Sequence, residues 1–301
     1  ILAWGVRSPR WNILIIAMMG GGLVLFCYGA FLYGFWIPVI PTAIALFVST
    51  GILASVIAYV ERSERQIIMN IFGRHVTAEI AEAIWRDRDQ LLQEGRLLGR
   101  NMTATVLFTD LKAFSTISER THPEILMTWL NDYMDAMSQV VLDHGGIVDK
   151  FIGDSIMAVF GVPIARTNKE EIAKDAYMAV QCAIEMAAAL EVLNQKWASQ
   201  NLPTTSMRVG ISTGPVVTGS LGGKQRLDYT TIGDSVNVAS RLESYDKTLT
   251  AGICRILISE STYQYVYQLF DIKFIATVQL QGRGARTNIY QILLESSQNS
   301  P

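Results

Sequence analysis

From Trp11 to Val60 the chain carries no Asp, Glu, Lys, Arg or His, and no other feature limits its fold so strongly. Arg7 and Arg10 stand just before this run, and Glu61, Arg62, Glu64 and Arg65 just after it. Fifty uncharged residues are enough for about two membrane spans, because one helix needs roughly 20 apolar residues to cross the hydrocarbon layer. The break falls at "YGFWIPVIP", where Pro38 and Pro41 oppose continuous helix and Tyr33, Phe35 and Trp36 suit an interface. The expected spans are about 12–33 and 40–60, a transmembrane helical hairpin with lipid bilayer as its partner. The alternative is a buried hairpin in a soluble core. The flanking arginines lie at the outer ends of the spans, so the positive-inside tendency puts both ends in the cytoplasm of a multi-pass protein of the plasma (inner) membrane.

The greasy segment explains a composition of 50% hydrophobic and 17% charged residues. Outside it, and leaving aside Arg7 and Arg10 at its edge, 23 basic residues face 27 acidic ones, an unfavourable balance for a nucleic-acid polymer as partner. Cys27, Cys182 and Cys254 are far apart and lack metal-ligand spacing, which points to reduced thiols. Residues 61–100 read as a helical connector, with Ile67, Ile71, Val76, Ile80 and Ile84 at spacings of four or five between charges. Such a stripe either pairs with its copy in a second chain or packs on its own domain.

Beyond the connector the pattern alternates: a strand over 103–109, a helix over about 122–143, strands over 146–152 and 155–160, and a helix over 168–198. A strand over 206–213, a strand over 226–232 and a helix over 234–245 follow. The β-α-β-β-α-β order predicts an α+β, ferredoxin-like layer with one helical face. The domain is expected over 101–294, with a polar tail at 295–301.

Three places in this layer carry chemistry. The strand "TATVLFTDL" ends in Asp110, a charge that the edge of a core tolerates only with a partner. "GIVDKFIGDSIMAVF" has a Gly-Asp hairpin signal that puts Asp154 at a second strand tip, beside the first. Two hard carboxylates there suit a divalent cation, magnesium or manganese. "LKAFST", with Phe114 and Ser115, offers backbone N–H groups at the start of a helical turn to a phosphate. In "LDYTTIGDSVNVASRLES", Asn237 and Arg241 are four apart and share a helix face, placing an amide beside a guanidinium.

Taken together, "VLFTDLKAFS", "VDKFIGDSIMAVFG", "GISTGPVVTGSLG" and "DYTTIGDSVNVASRLE" resemble the class III nucleotidyl cyclases, the adenylate and guanylate cyclases, over roughly residues 100–293. The resemblance implies a homodimer with two active sites, each built from both chains. It assigns two Mg2+ or Mn2+ ions per site to Asp110, Asp154 and the Leu111 carbonyl. It assigns purine reading to Lys150 and Thr230, ribose orientation to Asn237, transition-state charge to Arg241 and phosphate contacts to Phe114 and Ser115. Lys150 and Thr230 favour ATP over GTP in that scheme. Where many members have Lys-Gly-Lys, this chain has "LQGRGA", so Arg283 takes the phosphate-binding place of the second lysine. The membrane region and connector resemble bacterial cyclases that carry an external CHASE2 sensor, with a further span before residue 1. The function implied is a membrane-anchored adenylate cyclase; a guanylate cyclase or an inactive cyclase-fold signalling module are the alternatives.

Overall fold

The computed structural model describes residues 9–35, scattered positions between 40 and 59, then 92–93, 96–223, 226–246, 248–249, 252–279 and 286–294. The chain divides into two units, residues 1–67 and 68–301. In the first, helix α1 spans Pro9–Leu32. Its 24 residues reach about 36 Å at 1.5 Å per residue. Val24, Leu25 and Phe26 are all more than half exposed, and three successive residues cover about 200° of a helix. This helix coincides with the first expected span. The described positions of the second are helical, and they do not by themselves establish a hairpin.

The expected connector lies outside the described residues as far as residue 91. Its end is not helical: Leu92–Gln93 (β1) pairs antiparallel with Arg96–Leu97 (β2), and β3, Arg100–Leu111, begins at once.

The second unit is built on an eight-stranded mixed sheet. In chain order its elements are β3, α2 (Phe114–Arg120), α3 (Pro123–Asp143), β4 (Ile147–Ile152), β5 (Ser155–Phe160), α4 (Lys169–Ser199), β6 (Met207–Gly223) and β7 (Arg226–Ile232). Then come α5 (Asp234–Ser244), β8 (Cys254–Ser259), α6 (Glu260–Val266), β9 (Ile272–Gln279) and β10 (Arg286–Ile292). The strand order is β4-β5-β3-β6-β8-β10-β9, with β7 paired to the far half of β6. Among the described residues only β6 and β8 run parallel; the other pairs are antiparallel.

The expected single helical face is corrected here. Leu107, Leu111, Val209 and Ile211 point into a core with Trp129, Tyr133, Met186 and Trp197 of α3 and α4. Val106 and Phe108, their neighbours in β3, point the other way, into a second core that includes Ala239 of α5. Three successive apolar residues in one strand need cover on both faces, and α5 supplies the second. It lies very close. A Cβ on Gly210 of β6 would stand 2.1 Å from the Ala239 carbonyl oxygen and 2.3 Å from the Glu243 nitrogen, so only glycine fits beneath the helix. β6 also runs ten residues beyond its expected end, because its second half, from Val217, pairs with β7 in a hairpin.

By length and composition α4 is also apolar enough to cross a membrane. Its Ala176, Ala179, Val180, Ala183, Met186 and Leu190 are fully buried in the domain, which accounts for its composition.

Candidate active site

Asp110 stands at the end of β3, and the Gly153-Asp154 turn of the β4–β5 hairpin stands beside it, as the hairpin signal predicted. The register Thr109↔Ile156 carries the tip of the hairpin level with the end of β3. Gly153, at φ 65°, makes the reversal between Ile152 and Ser155. Asp154 Oδ2 accepts the N–H of Leu111 at 3.0 Å, and Ser155 Oγ donates to Asp110 Oδ1 at 3.1 Å. Leu111 thus sits between the two carboxylates. Burial and, next, the charge of Asp110 push the Asp154 carboxyl above its usual range. This is how two neighbouring acids behave, each disfavouring the charge of the other.

The immediate partner of Asp110 was not foreseen. Arg208 lies directly across the β3–β6 ladder, and its Nη2 binds Asp110 Oδ2. Arg208 Nε is 3.3 Å from Glu243 Oε1 on α5. A charged residue opening the apolar strand "MRVGI" was the available signal: a buried guanidinium needs an acid opposite. Burial and the charge of Asp110 raise Glu243 to about 7, against the opposing pull of Arg208 and Arg255. A raised acid contributes stability below its unfolded pKa and loses it as pH rises through the folded value. The metal-free protein should therefore gain on the order of 1 kcal/mol between about pH 8 and about pH 5 from this group. Melting in chelator at the two pH values checks this, with Glu243→Gln expected to flatten the slope.

A second cluster forms where β4 meets β7. Lys150 Nζ donates to Thr230 Oγ1 and lies 2.8 Å from Asp149 Oδ1. The two residues assigned to the purine are thus in contact, 80 positions apart in sequence. Asp149, which sequence reasoning passed over, holds both. Lys150 is four residues before Asp154, on β4 rather than at the turn, and no hydrogen bond or ion pair joins the clusters among the described residues.

On α5, Val238, Ala239 and Leu242 face inward, leaving Asn237 exposed and Arg241 half-buried. Their side chains make no hydrogen bond or ion pair among the described residues. Ser115 is exposed at the start of α2, after Ala113 in left-handed conformation. The ring of Phe114 stacks on Trp129, 6.4 Å between centroids, so much of it belongs to the core. Arg283 and Gln281 lie outside the described residues. No three acid, His or Cys side chains converge among the described residues. The carboxylate pair with an adjacent backbone carbonyl is a hard-oxygen donor set, which fits Mg2+ or Mn2+ completed by substrate phosphates.

The site thus combines a mixed sheet, two carboxylates at adjacent strand tips, a Lys-Thr pair, and an amide and a guanidinium on one helix that have no partner among the described residues. Residues 99–294 match the adenylate and guanylate cyclase catalytic domain, and the chain belongs to that family. It is 35% identical over 205 residues to adenylate cyclase 1 of Rhizobium meliloti, covering 67% of this chain and 30% of that protein. It is 32% identical over 231 residues to an adenylate cyclase of Anabaena cylindrica, covering 74% of this chain and 43% of the relative. The chain therefore spans less than half the length of these relatives. Among solved structures, the adenylyl cyclase CyaB of P. aeruginosa superimposes with a TM-score of 0.61 at 35% identity, over 68% of this chain and all of that one. The guanylyl cyclase Cya2 does so at 0.59 and 34%, over 67% of this chain and 97% of that one. Overall similarity does not separate the two nucleotides.

Proposed function

We propose that the protein is an adenylate cyclase, converting ATP to 3′,5′-cyclic AMP and pyrophosphate at sites shared between two copies of the chain. The observation that carries the choice of ATP is the contact of Lys150 with Thr230. A lysine donor beside a hydroxyl oxygen complements a ring nitrogen beside an amino group, the edge that adenine presents and guanine reverses.

The reaction forms a bond from the 3′-oxygen to the α-phosphorus and breaks the bond from that phosphorus to pyrophosphate, while the 3′-hydroxyl gives up its proton. Two divalent cations held by Asp110, Asp154 and the Leu111 carbonyl would supply the positive charge that lowers the hydroxyl pKa and offsets the leaving group. Arg208 holds the place of such a charge on Asp110, and keeps that carboxylate compatible with its half-buried position. Asn237 orients the ribose through its amide, and Arg241 donates to the phosphate oxygens as charge grows there. The N–H groups around Phe114 and Ser115, with Arg283, bind the remaining phosphates. Because Asn237 and Arg241 have no hydrogen-bond or ion-pair partners among the described residues, a second copy facing them with Asp110 and Asp154 would complete the constellation. The uncharged N-terminal run and the exposed apolar α1 favour anchoring in the membrane with the catalytic domain cytoplasmic.

Purified full chain, assayed with Mn2+ and either ATP or GTP, should form cyclic AMP in clear excess over cyclic GMP. Preferential cyclic GMP would make it a guanylate cyclase, and no cyclic nucleotide from either substrate would leave a signalling module without chemistry.

A further inference from the structure

Asp149 is 2% exposed at its side chain, beside a lysine that is 40% exposed. In a regular strand the two would point to opposite faces. They do not, because the β4–β5 register passes from Val148↔Ala158 directly to Lys150↔Met157 and leaves Asp149 unpaired in a bulge. A bulge re-aims side chains, and here both residues reach β7. Thr230 Oγ1 donates to Asp149 Oδ1 at 3.2 Å, and the Thr231 N–H donates to Asp149 Oδ2 at 2.7 Å. Lys150 Nζ donates to Thr230 and lies within bonding distance of Asp149 Oδ1.

Counting protons fixes what this cluster offers a ligand. A carboxylate only accepts, and a threonine hydroxyl has one proton and two lone pairs. The Thr230 proton is committed to Asp149, and one of its lone pairs to Lys150. What remains uncommitted is a second lone pair on Thr230 and one N–H on Lys150, an acceptor next to a donor. Without Asp149 the Thr230 hydroxyl would be free to rotate and donate, and the cluster would serve a carbonyl as well as an amino group.

We propose that Asp149 is a positioning residue that fixes the hydrogen-bond polarity of the Lys150–Thr230 pair, so that the site accepts a 6-amino purine nucleotide and rejects a 6-oxo one. This rests on the reading of Lys150 and Thr230 as the purine site and adds the element that makes the threonine an obligate acceptor. Asp149 does not touch the base; it acts through Thr230 and Lys150.

The test compares kcat/KM for ATP and for GTP, and the competition of the two nucleotides for binding, in the full chain and in Asp149→Ala and Asp149→Asn. Freeing the hydroxyl should lower the ATP-to-GTP ratio by about tenfold or more in Asp149→Ala, since a site that leaves a polar group unpaired loses discrimination of that order. Asp149→Asn, nearly isosteric but with one oxygen in place of two, should shift the ratio in the same direction and guards against a folding defect. In a Thr230→Val background, Asp149→Asn should change the ratio no further, because the hydroxyl it orients is gone. A purely structural role predicts instead that both nucleotides suffer alike. Folded variants whose ratio stays within about twofold of wild type would overturn the assignment. If the wild type turns over neither nucleotide the cyclase reading fails, and the binding ratio alone then judges Asp149; a wild type that binds both equally overturns the assignment as well.

Discussion

Asp154→Ala should lower turnover by about a thousandfold or more, because the charge that the carboxylate pair gathers is the largest stabilising contribution open to a phosphoryl-transfer site of this design. The variant keeps its fold: Asp154 is at a turn, and its one described backbone partner, the Leu111 N–H, is left to water. Asp110 calls for more care. Replacing it by alanine would strand the buried Arg208 guanidinium with Glu243 as its remaining acidic neighbour, and an uncompensated buried charge costs about 3–5 kcal/mol. Asp110→Asn keeps the volume and an oxygen for Arg208 while weakening a cation site, so it should lose a similar factor in rate at much smaller cost in stability. Steady-state rates across a Mn2+ titration, with melting measured alongside, separate the two effects. Near-wild-type rates at low Mn2+ in a folded Asp154→Ala would remove the carboxylates from the chemistry.

Arg241→Ala should also be severe, with a loss of about 10² to 10³ in kcat, the range found when one donor to a developing negative charge is removed. Nothing within the chain predicts a fold defect, since no described residue bonds or pairs with its guanidinium. The loss should appear in kcat more than in KM, because the contact strengthens only as charge accumulates. An equal effect on both nucleotides is expected as well, since Arg241 does not read the base.

Much of this site was legible in the sequence because short-range rules fix its parts. The Gly153-Asp154 hairpin follows from turn chemistry between two apolar runs, and once β5 pairs with β3 the turn must arrive at Asp110. The face shared by Asn237 and Arg241 follows from helical spacing alone. What escaped is set by pairing across the sheet. Arg208 meets Asp110 only because β6 is in register with β3, over a separation of 98 residues. Asp149 joins Lys150 and Thr230 only because a bulge turns it toward β7. The second helical face was foreshadowed by Val106, Leu107 and Phe108 in succession, which a sheet covered on one side would not carry. The strand pair at 92–97 was hidden by the helical periodicity of the residues before it.

The mixed dimer puts a shared site to the most direct test. Asp110→Asn and Arg241→Ala homodimers each lack an essential group in both clefts, and both should be nearly silent. Co-expressed in equal amounts, about half of the dimers pair one variant with the other, and each such dimer has one cleft with both lesions and one with neither. If clefts act independently, cyclic AMP formation should then return to roughly a quarter of the wild-type rate in the unsorted mixture and to roughly half in doubly tagged, doubly purified heterodimers. Proven heterodimers with no activity above that of the single variants would mean that the carboxylates and the Asn237–Arg241 helix do not meet across two chains.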